Sequence, residues 1–206
     1  ELSFPTNRNE EWKYTNVAPI LKHNFIPAMI STVPKFQKEE IKPFMFKDFD
    51  YHLMVFVNGL FAEELSEIGN LPKGVVVDGL NRITKNNPDS ISKYINKLSK
   101  IDNAFNALNT AYSYDGLVVI VPDGMILEKP IQVLYLNSSK DDLVLSTPRN
   151  LIVAGKNSQV SVITNYRGFG DKTYFSNIIT EVYVGENAIV DLYKIQNEND
   201  ESYHIE

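Results

Sequence analysis

Gly155-Lys156-Asn157-Ser158-Gln159-Val160-Ser161-Val162 and Gly185-Glu186-Asn187-Ala188-Ile189-Val190-Asp191-Leu192 are the stretches on which the fold of this chain turns. Each is a Gly-x-Asn turn signal followed by a β-prone run, the second lies thirty residues after the first, and Gly124 stands thirty-one residues before Gly155. A turn repeated at a fixed period with a strand behind it marks a solenoid in which each coil repeats one turn. A β-sandwich with coincidentally similar turns fits the same pattern, and periodicity alone leaves both readings open.

Working outward, residues 117–121, 131–136, 143–145, 151–153, 159–164, 174–184 and 189–195 are short runs rich in Val, Ile, Leu and Tyr, separated by Gly, Pro, Asn and Asp. They lie too close together for crossover helices, so the chain reads as all-β from Tyr112 onward. The texture before Tyr112 differs. Pro5, Pro19, Pro27 and Pro34 exclude one long helix in the first forty residues and predict short helices and extended connections. Residues 51–57 read as a strand ended by the turn signal Asn58-Gly59, and residues 75–77 as a second short strand. The strongest helix is expected over 87–108, capped by Asn87 with Pro88 in the first helical position and Asp89 at the positive end. Ile91, Tyr94, Ile95, Leu98, Ile101, Phe105 and Leu108 would form its apolar stripe. Lys93, Lys97 and Lys100 form a second stripe, read as a solvated face rather than a site for an acidic partner. Two parts result: an N-terminal α/β region, residues 1–111, and an all-β region, residues 112–206. The first part, including that helix, is expected to pack on the second and protect its first strands.

At 206 residues, with 43% hydrophobic and 22% charged residues, the chain has the composition of a globular protein with a buried core. No run of 18 uncharged apolar residues exists, so neither a membrane span nor a signal peptide at the N-terminus shown is expected. The absence of cysteine excludes a disulfide framework and any thiolate-held zinc or iron–sulfur centre within these residues. Residues 1–110 hold 13 Lys/Arg and 13 Asp/Glu, residues 111–206 hold 7 and 13, and this acidic second half disfavours a nucleic acid or anionic membrane as its partner. The chain begins at Glu1 and stops at Tyr203-His204-Ile205-Glu206 inside an apparent strand, and so reads as a fragment.

Catalytic chemistry requires converging groups, and the sequence offers few. His23, His52 and His204 lack a His, Asp or Glu at the spacing of a helical metal motif and are read as structural or surface residues. No Gly-x-Ser-x-Gly elbow occurs. Gly168-Phe169-Gly170-Asp171-Lys172-Thr173 misses the phosphate-loop pattern at two positions and is read as a loop between strands. The Asp141-Asp142 pair and the acidic stretch 198–201 suit solvated turns. Asn137-Ser138-Ser139 is a glycosylation sequon, irrelevant if the protein is cytoplasmic. Trp12 and Tyr14 are expected to anchor an N-terminal segment on the body. No catalytic, cofactor-binding or metal-binding residue is assigned.

The motifs Phe4-Pro5-Thr6-Asn7-Arg8-Asn9-Glu10-Glu11-Trp12-Lys13-Tyr14-Thr15-Asn16, Val55-Phe56-Val57-Asn58-Gly59, Leu108-Asn109-Thr110-Ala111 with Asp115-Gly116, Pro148-Arg149-Asn150-Leu151-Ile152-Val153, Tyr174-Phe175-Ser176-Asn177 and Val184-Gly185-Glu186-Asn187-Ala188 stand in one order along the chain. Together they resemble the SufB/SufD family of iron–sulfur cluster assembly proteins, and the Trp12 motif resembles its SufD branch. The resemblance implies a mainly β fold, a right-handed parallel β-helix preceded by a partly helical α/β region, of which residues 112–206 would be the first part, and a C-terminal helical region absent here. It also implies a cytoplasmic, non-enzymatic scaffold that pairs with a SufB-like paralogue through the β-helices and binds a SufC-like ABC-type ATPase through the missing region, with a homodimer as a further arrangement. The iron–sulfur cluster would be handled by the parent complex, with no cofactor bound by this segment. A carbohydrate-active β-helix enzyme of the polysaccharide lyase type and a SufB-type cluster-binding paralogue are the competing readings.

Overall fold

The computed structural model describes residues 3–31, 33–138 and 143–206. The Asp141-Asp142 pair and Ser139 of the sequon lie outside the described residues. In chain order the elements are β1 (Ile26–Pro27), α1 (Lys38–Ile41), β2 (His52–Val57), β3 (Leu60–Phe61), β4 (Val76–Gly79), α2 (Leu80–Asn86) and α3 (Ala104–Tyr112). They continue with β5 (Leu117–Val121), β6 (Ile131–Ser138), β7 (Val144–Ser146), β8 (Arg149–Ala154), β9 (Gln159–Phe169), β10 (Phe175–Asn177), β11 (Ile179–Val184), β12 (Ile189–Asn197) and β13 (Tyr203–Ile205). The strands form three sheets, in the orders β1-β7-β10-β13, β11-β8-β5-β4 and β12-β9-β6-β2-β3. Every strand pair is parallel except β2 with β3 and β4 with β5.

From β6 onward the chain visits the three sheets in one cyclic order, and the thirty-residue period becomes a register. Leu145 pairs with Phe175, Arg149 with Ile179 and Gln159 with Ile189. Gly185 donates its amide to the Ala154 carbonyl as Gly155 donates to Val121, so the two Gly-x-Asn turns stack directly. Glycine is required there because a Cβ on Gly185 would lie 2.8 Å from the Gly155 carbonyl carbon, and one on Gly155 2.6 Å from the Asp123 nitrogen. Gly124 is not the counterpart of Gly155 that the spacing suggests. The backbone bonds place Pro122 beneath Gly155, and Gly124 (φ +71°) beneath Asn157 and Asn187, which share its left-handed conformation at φ 54° and 56°. The conserved geometric demand is a positive φ two residues into the turn, which Gly and Asn both meet.

The core between the sheets takes Met54, Phe56, Val133, Tyr135, Val160, Val162 and Tyr166 from one sheet and Val77, Leu117, Val119, Val121, Ile152 and Ala154 from another. The first strands are protected by antiparallel partners. Asn58 and Gly59, both at positive φ, close a two-residue hairpin that lays β3 along β2, and β4 lies along β5. The rest of the N-terminal region covers the outer faces. Ile41, Phe36, Phe44 and Met45 pack on Leu53, Val55, Leu134 and Leu136. Leu80, Ile83, Ile91 and Tyr94 pack on Val118, Leu151 and Val153. Val17, Ile20, Phe25 and Trp12 pack with Phe105 on Leu145 and Phe175.

The helix expected over 87–108 does not form. Asn87 is instead the C-cap of α2 and precedes a single 3₁₀ turn, Pro88–Ser90, while α3 starts only at Ala104 behind its true cap, Asn103, whose side chain accepts the Asn106 amide. Asn96 at φ 59° breaks the segment, and the buried Glu181 carboxylate accepts the amides of Asn96, Leu98 and Ser99 that a helix would have used internally. Tertiary hydrogen bonding outweighs helix periodicity there. Two smaller corrections concern single residues and a loop. Trp12 anchors on Phe105 with ring centroids 5.4 Å apart, but Tyr14 is 93% exposed and anchors nothing. Gly168 belongs to β9, which runs through Phe169, so the glycine-rich loop is shorter than its sequence suggests.

Candidate functional site: a charged cluster between the sheets

Inward positions on successive strands build columns of like side chains. Phe56, Tyr135 and Tyr166 are in register on β2, β6 and β9 and stack with centroids 5.1 and 4.9 Å apart. The Tyr135 hydroxyl donates to Asn150 Oδ1, and the Leu117 amide donates to the same oxygen. On β12 the composition changes. Lys194 takes the register position that Thr164 and Val133 occupy on β9 and β6, and Gln196 takes that of Tyr166.

Around these two side chains a charged cluster assembles. His204 on β13 sets its ring edge-on to Tyr166, centroids 4.8 Å apart, with Nδ1 2.7 Å from Glu198 Oε2. Its Nε2 lies 2.9 Å from Lys194 Nζ and 3.6 Å from Glu206 Oε2. Lys194 Nζ is 2.6 Å from Glu206 Oε2 and 5.3 Å from the Tyr166 ring centroid. Tyr174 and Gln196 both donate to Glu198. The acidic stretch 198–201 is therefore not wholly a solvated turn, because the Glu198 side chain is only 4% exposed. The chain folds back through 198–202 and delivers that carboxylate inward.

Burial and charge act in opposite directions on these groups. Burial pushes the Glu206 carboxyl up, but His204 and Lys194 outweigh it and hold the group down at about 2. Glu198 is likewise pushed up by burial and held below its ordinary range by His204, Gln196 and Tyr174. Burial lowers His204, but the two carboxylates more than reverse it and raise the imidazole above its ordinary value. Burial first, and the neighbouring Glu198, raise the Tyr174 phenol. Because Glu198 and Glu206 sit at opposite ring nitrogens, they cannot converge with His204 on one ion. Among the described residues no three His, Asp or Glu side chains are grouped to hold a metal.

The other histidines lie apart. His52 is buried with Nδ1 against the Ile68 carbonyl, and His23 packs between Phe25 and Tyr203. Asn137 of the sequon is 2% exposed and donates to Ser176 Oγ, so its amide is not presented to solvent. Lys93, Lys97 and Lys100 are exposed. Sequence reasoning missed two buried ionic centres. Arg149 and Glu181, 2% and 1% exposed, form an ion pair at 2.9 Å, and Arg149 also donates to Asn109 and Thr110 on α3. Asp115 accepts the amides of Phe61, Asn81 and Gly116, and burial raises its carboxyl above the ordinary range. Both lie in motifs singled out in the sequence, but nothing local in the chain marks their partners.

Comparison with known proteins matches residues 1–133 to the SufBD protein N-terminal region and residues 135–206 to the SUF system FeS cluster assembly SufBD core domain. The chain is 28% identical over 212 aligned positions to an iron–sulfur cluster assembly SufBD family protein of Synechocystis sp., an alignment covering 99% of this chain and 46% of that protein. It is 31% identical over 128 to the iron–sulfur cluster assembly protein SufD of Bacillus subtilis, covering 61% of this chain and 29% of that one. With a SufBD family protein of Trieres chinensis it shares 32% over 143, covering 66% and 27%. The chain thus spans less than half the length of each of these relatives.

Sheets built in register from a thirty-residue repeat define a mainly β repeat protein. Within that class, the chain belongs to the SufB/SufD family of iron–sulfur cluster assembly proteins.

Proposed function

We propose that this chain is the front part of a SufD-like scaffold subunit, working in the cytoplasm and non-catalytic over these residues, within an assembly that contains a SufB-like paralogue and a SufC-like ABC-type ATPase. In this reading the three sheets are the faces of a right-handed parallel β-helix, consistent with the strong preference of parallel crossovers for that hand. The observation that carries it is the coincidence of the family match over nearly the whole chain with a stacked, in-register interior in which the buried ions answer one another. The SufD assignment rests on the Trp12 motif and on the likeness to the Bacillus subtilis protein. The segment contributes rigid geometry, while cluster ligands come from elsewhere in the assembly, since iron–sulfur clusters are usually held by thiolates and this segment has none. Among the described residues no helix is long and apolar enough to cross a membrane.

The test is co-purification of the full-length protein with SufB-like and SufC-like partners. Recovery of a stoichiometric complex is expected, and its absence removes the reading. Anaerobic reconstitution with iron and sulfide separates SufD-like from SufB-like behaviour: a stoichiometric cluster bound by this segment alone would favour the latter.

A further inference from the structure

The Nε2 atom of His204 faces a donor and an acceptor at once, Lys194 Nζ at 2.9 Å and Glu206 Oε2 at 3.6 Å. One protonation state can use only one of them. A neutral imidazole, with its proton on Nδ1 beside Glu198, offers the Nε2 lone pair to the Lys194 ammonium. An imidazolium carries a proton on Nε2, which repels an ammonium at that distance and suits the Glu206 carboxylate. We propose that His204 is a proton-responsive clasp: gain of a proton drives Lys194 off Nε2, turns that nitrogen to Glu206, and tightens the attachment of β13 to the body. Lys194 is the group that can leave Nε2 without losing its counter-ion, since its Nζ also lies 2.6 Å from Glu206 Oε2 and its side chain is 38% exposed against 9% for His204.

The groups facing the imidazole come from every element around it: Tyr166 from β9, Lys194 from β12, Glu198 from the following turn, and Glu206 beside β13. Tyr174, ahead of β10, acts through Glu198. With His204 neutral the cluster holds one cation against two carboxylates; with His204 charged the signs balance. β13 pairs in parallel with β10 in the register Phe175↔Tyr203, Ser176↔His204 and Asn177↔Ile205, Tyr203 donates to the Tyr174 carbonyl and Ile205 accepts from Ile178, so the His204 charge acts on a strand already laid along the body. For a histidine raised above its ordinary 6.5, the stabilisation is fully present below that value and is lost as pH rises through the folded value. The carboxylates set the other limit. Their contribution is present above 4.5 and is lost as pH falls through their lowered folded values, which for Glu206 is about 2.

The experiment is a histidine NMR titration of the full-length protein with amide exchange read in parallel. The His204 midpoint is expected above about 6.5, higher again in Lys194→Met and lower in Glu198→Gln, with Tyr203 and Ile205 amides exchanging faster above the midpoint. A His204→Gln variant should lose that pH dependence of exchange. A midpoint at the ordinary histidine value, unmoved by either neighbouring substitution, overturns the proposal, and the wild-type titration decides it even if a variant fails to fold.

Discussion

Arg149 and Glu181 are both almost wholly buried, and each charge is answered from several directions. The guanidinium reaches Glu181, Asn109 and Thr110, while the carboxylate also takes the amides of Asn96, Leu98 and Ser99. Removing one partner leaves an uncompensated buried charge, which typically costs about 3–5 kcal/mol. Arg149→Met should therefore lower stability by that order in denaturant titration, and the double variant Arg149→Met with Glu181→Leu should recover part of it. Gly116 sets a sterner limit. At φ 156° its Cβ would stand 2.2 Å from the Arg149 carbonyl oxygen, a backbone atom that cannot step aside. Gly116→Ala is expected to yield no soluble folded protein, and recovery of a protein with wild-type melting behaviour would contradict the close packing of these two segments.

At the scale of elements, the turns and the failed helix show which local signals survive folding. Asn157 and Asn187 hold left-handed backbone in stacked turns, so Asn187→Gly should change the melting temperature little, whereas Asn187→Val should cost about 1–2 kcal/mol because a β-branched residue resists that conformation. Thermal melts of the pair give the comparison. The segment between α2 and α3 has an apolar stripe at helical spacing, yet it lies over β8 and β11 as irregular turns, held by a carboxylate from β11. Glu181→Gln keeps the shape but weakens acceptance of those three amides. Because Glu181→Gln also removes the charge opposite Arg149, all amides should lose some protection, but exchange at Asn96, Leu98 and Ser99 should accelerate more than at the β6 and β9 amides, and equal acceleration throughout would mean that the carboxylate supports the whole fold rather than this element.

At the largest scale, the N-terminal region clothes the outside of the stacked sheets, and among the described residues β11, β12 and β13 stand at sheet edges. Removal of residues 1–24 would uncover Leu145, Phe175 and Phe105, and is expected to raise dye binding to apolar surface and lower the melting temperature. On β11 and β12, Tyr183, Val184, Ile189, Leu192 and Tyr193 are each between 41% and 57% exposed beside unpaired strand edges. These residues should drive self-association of the 206-residue chain studied alone, measured by light scattering, and Val184→Lys with Leu192→Lys should reduce it. Much of this was legible in the amino acids themselves. The Gly-x-Asn spacing pointed to a repeat without excluding a sandwich, the apolar runs announced most strands within a residue or two, and Asn58-Gly59 announced a turn though not the strand β3 beyond it, because turn conformation and strand patterning are set by near neighbours. Which residue lies under which, as with Gly124 beneath Asn157, was decided only when successive repeats stacked, and so were the partners of Arg149, Asp115 and His204, which come from far along the chain or across a folded-back turn. Charge pairing of that kind depends on burial and on the direction of side chains, and neither exists until the sheets have closed around them.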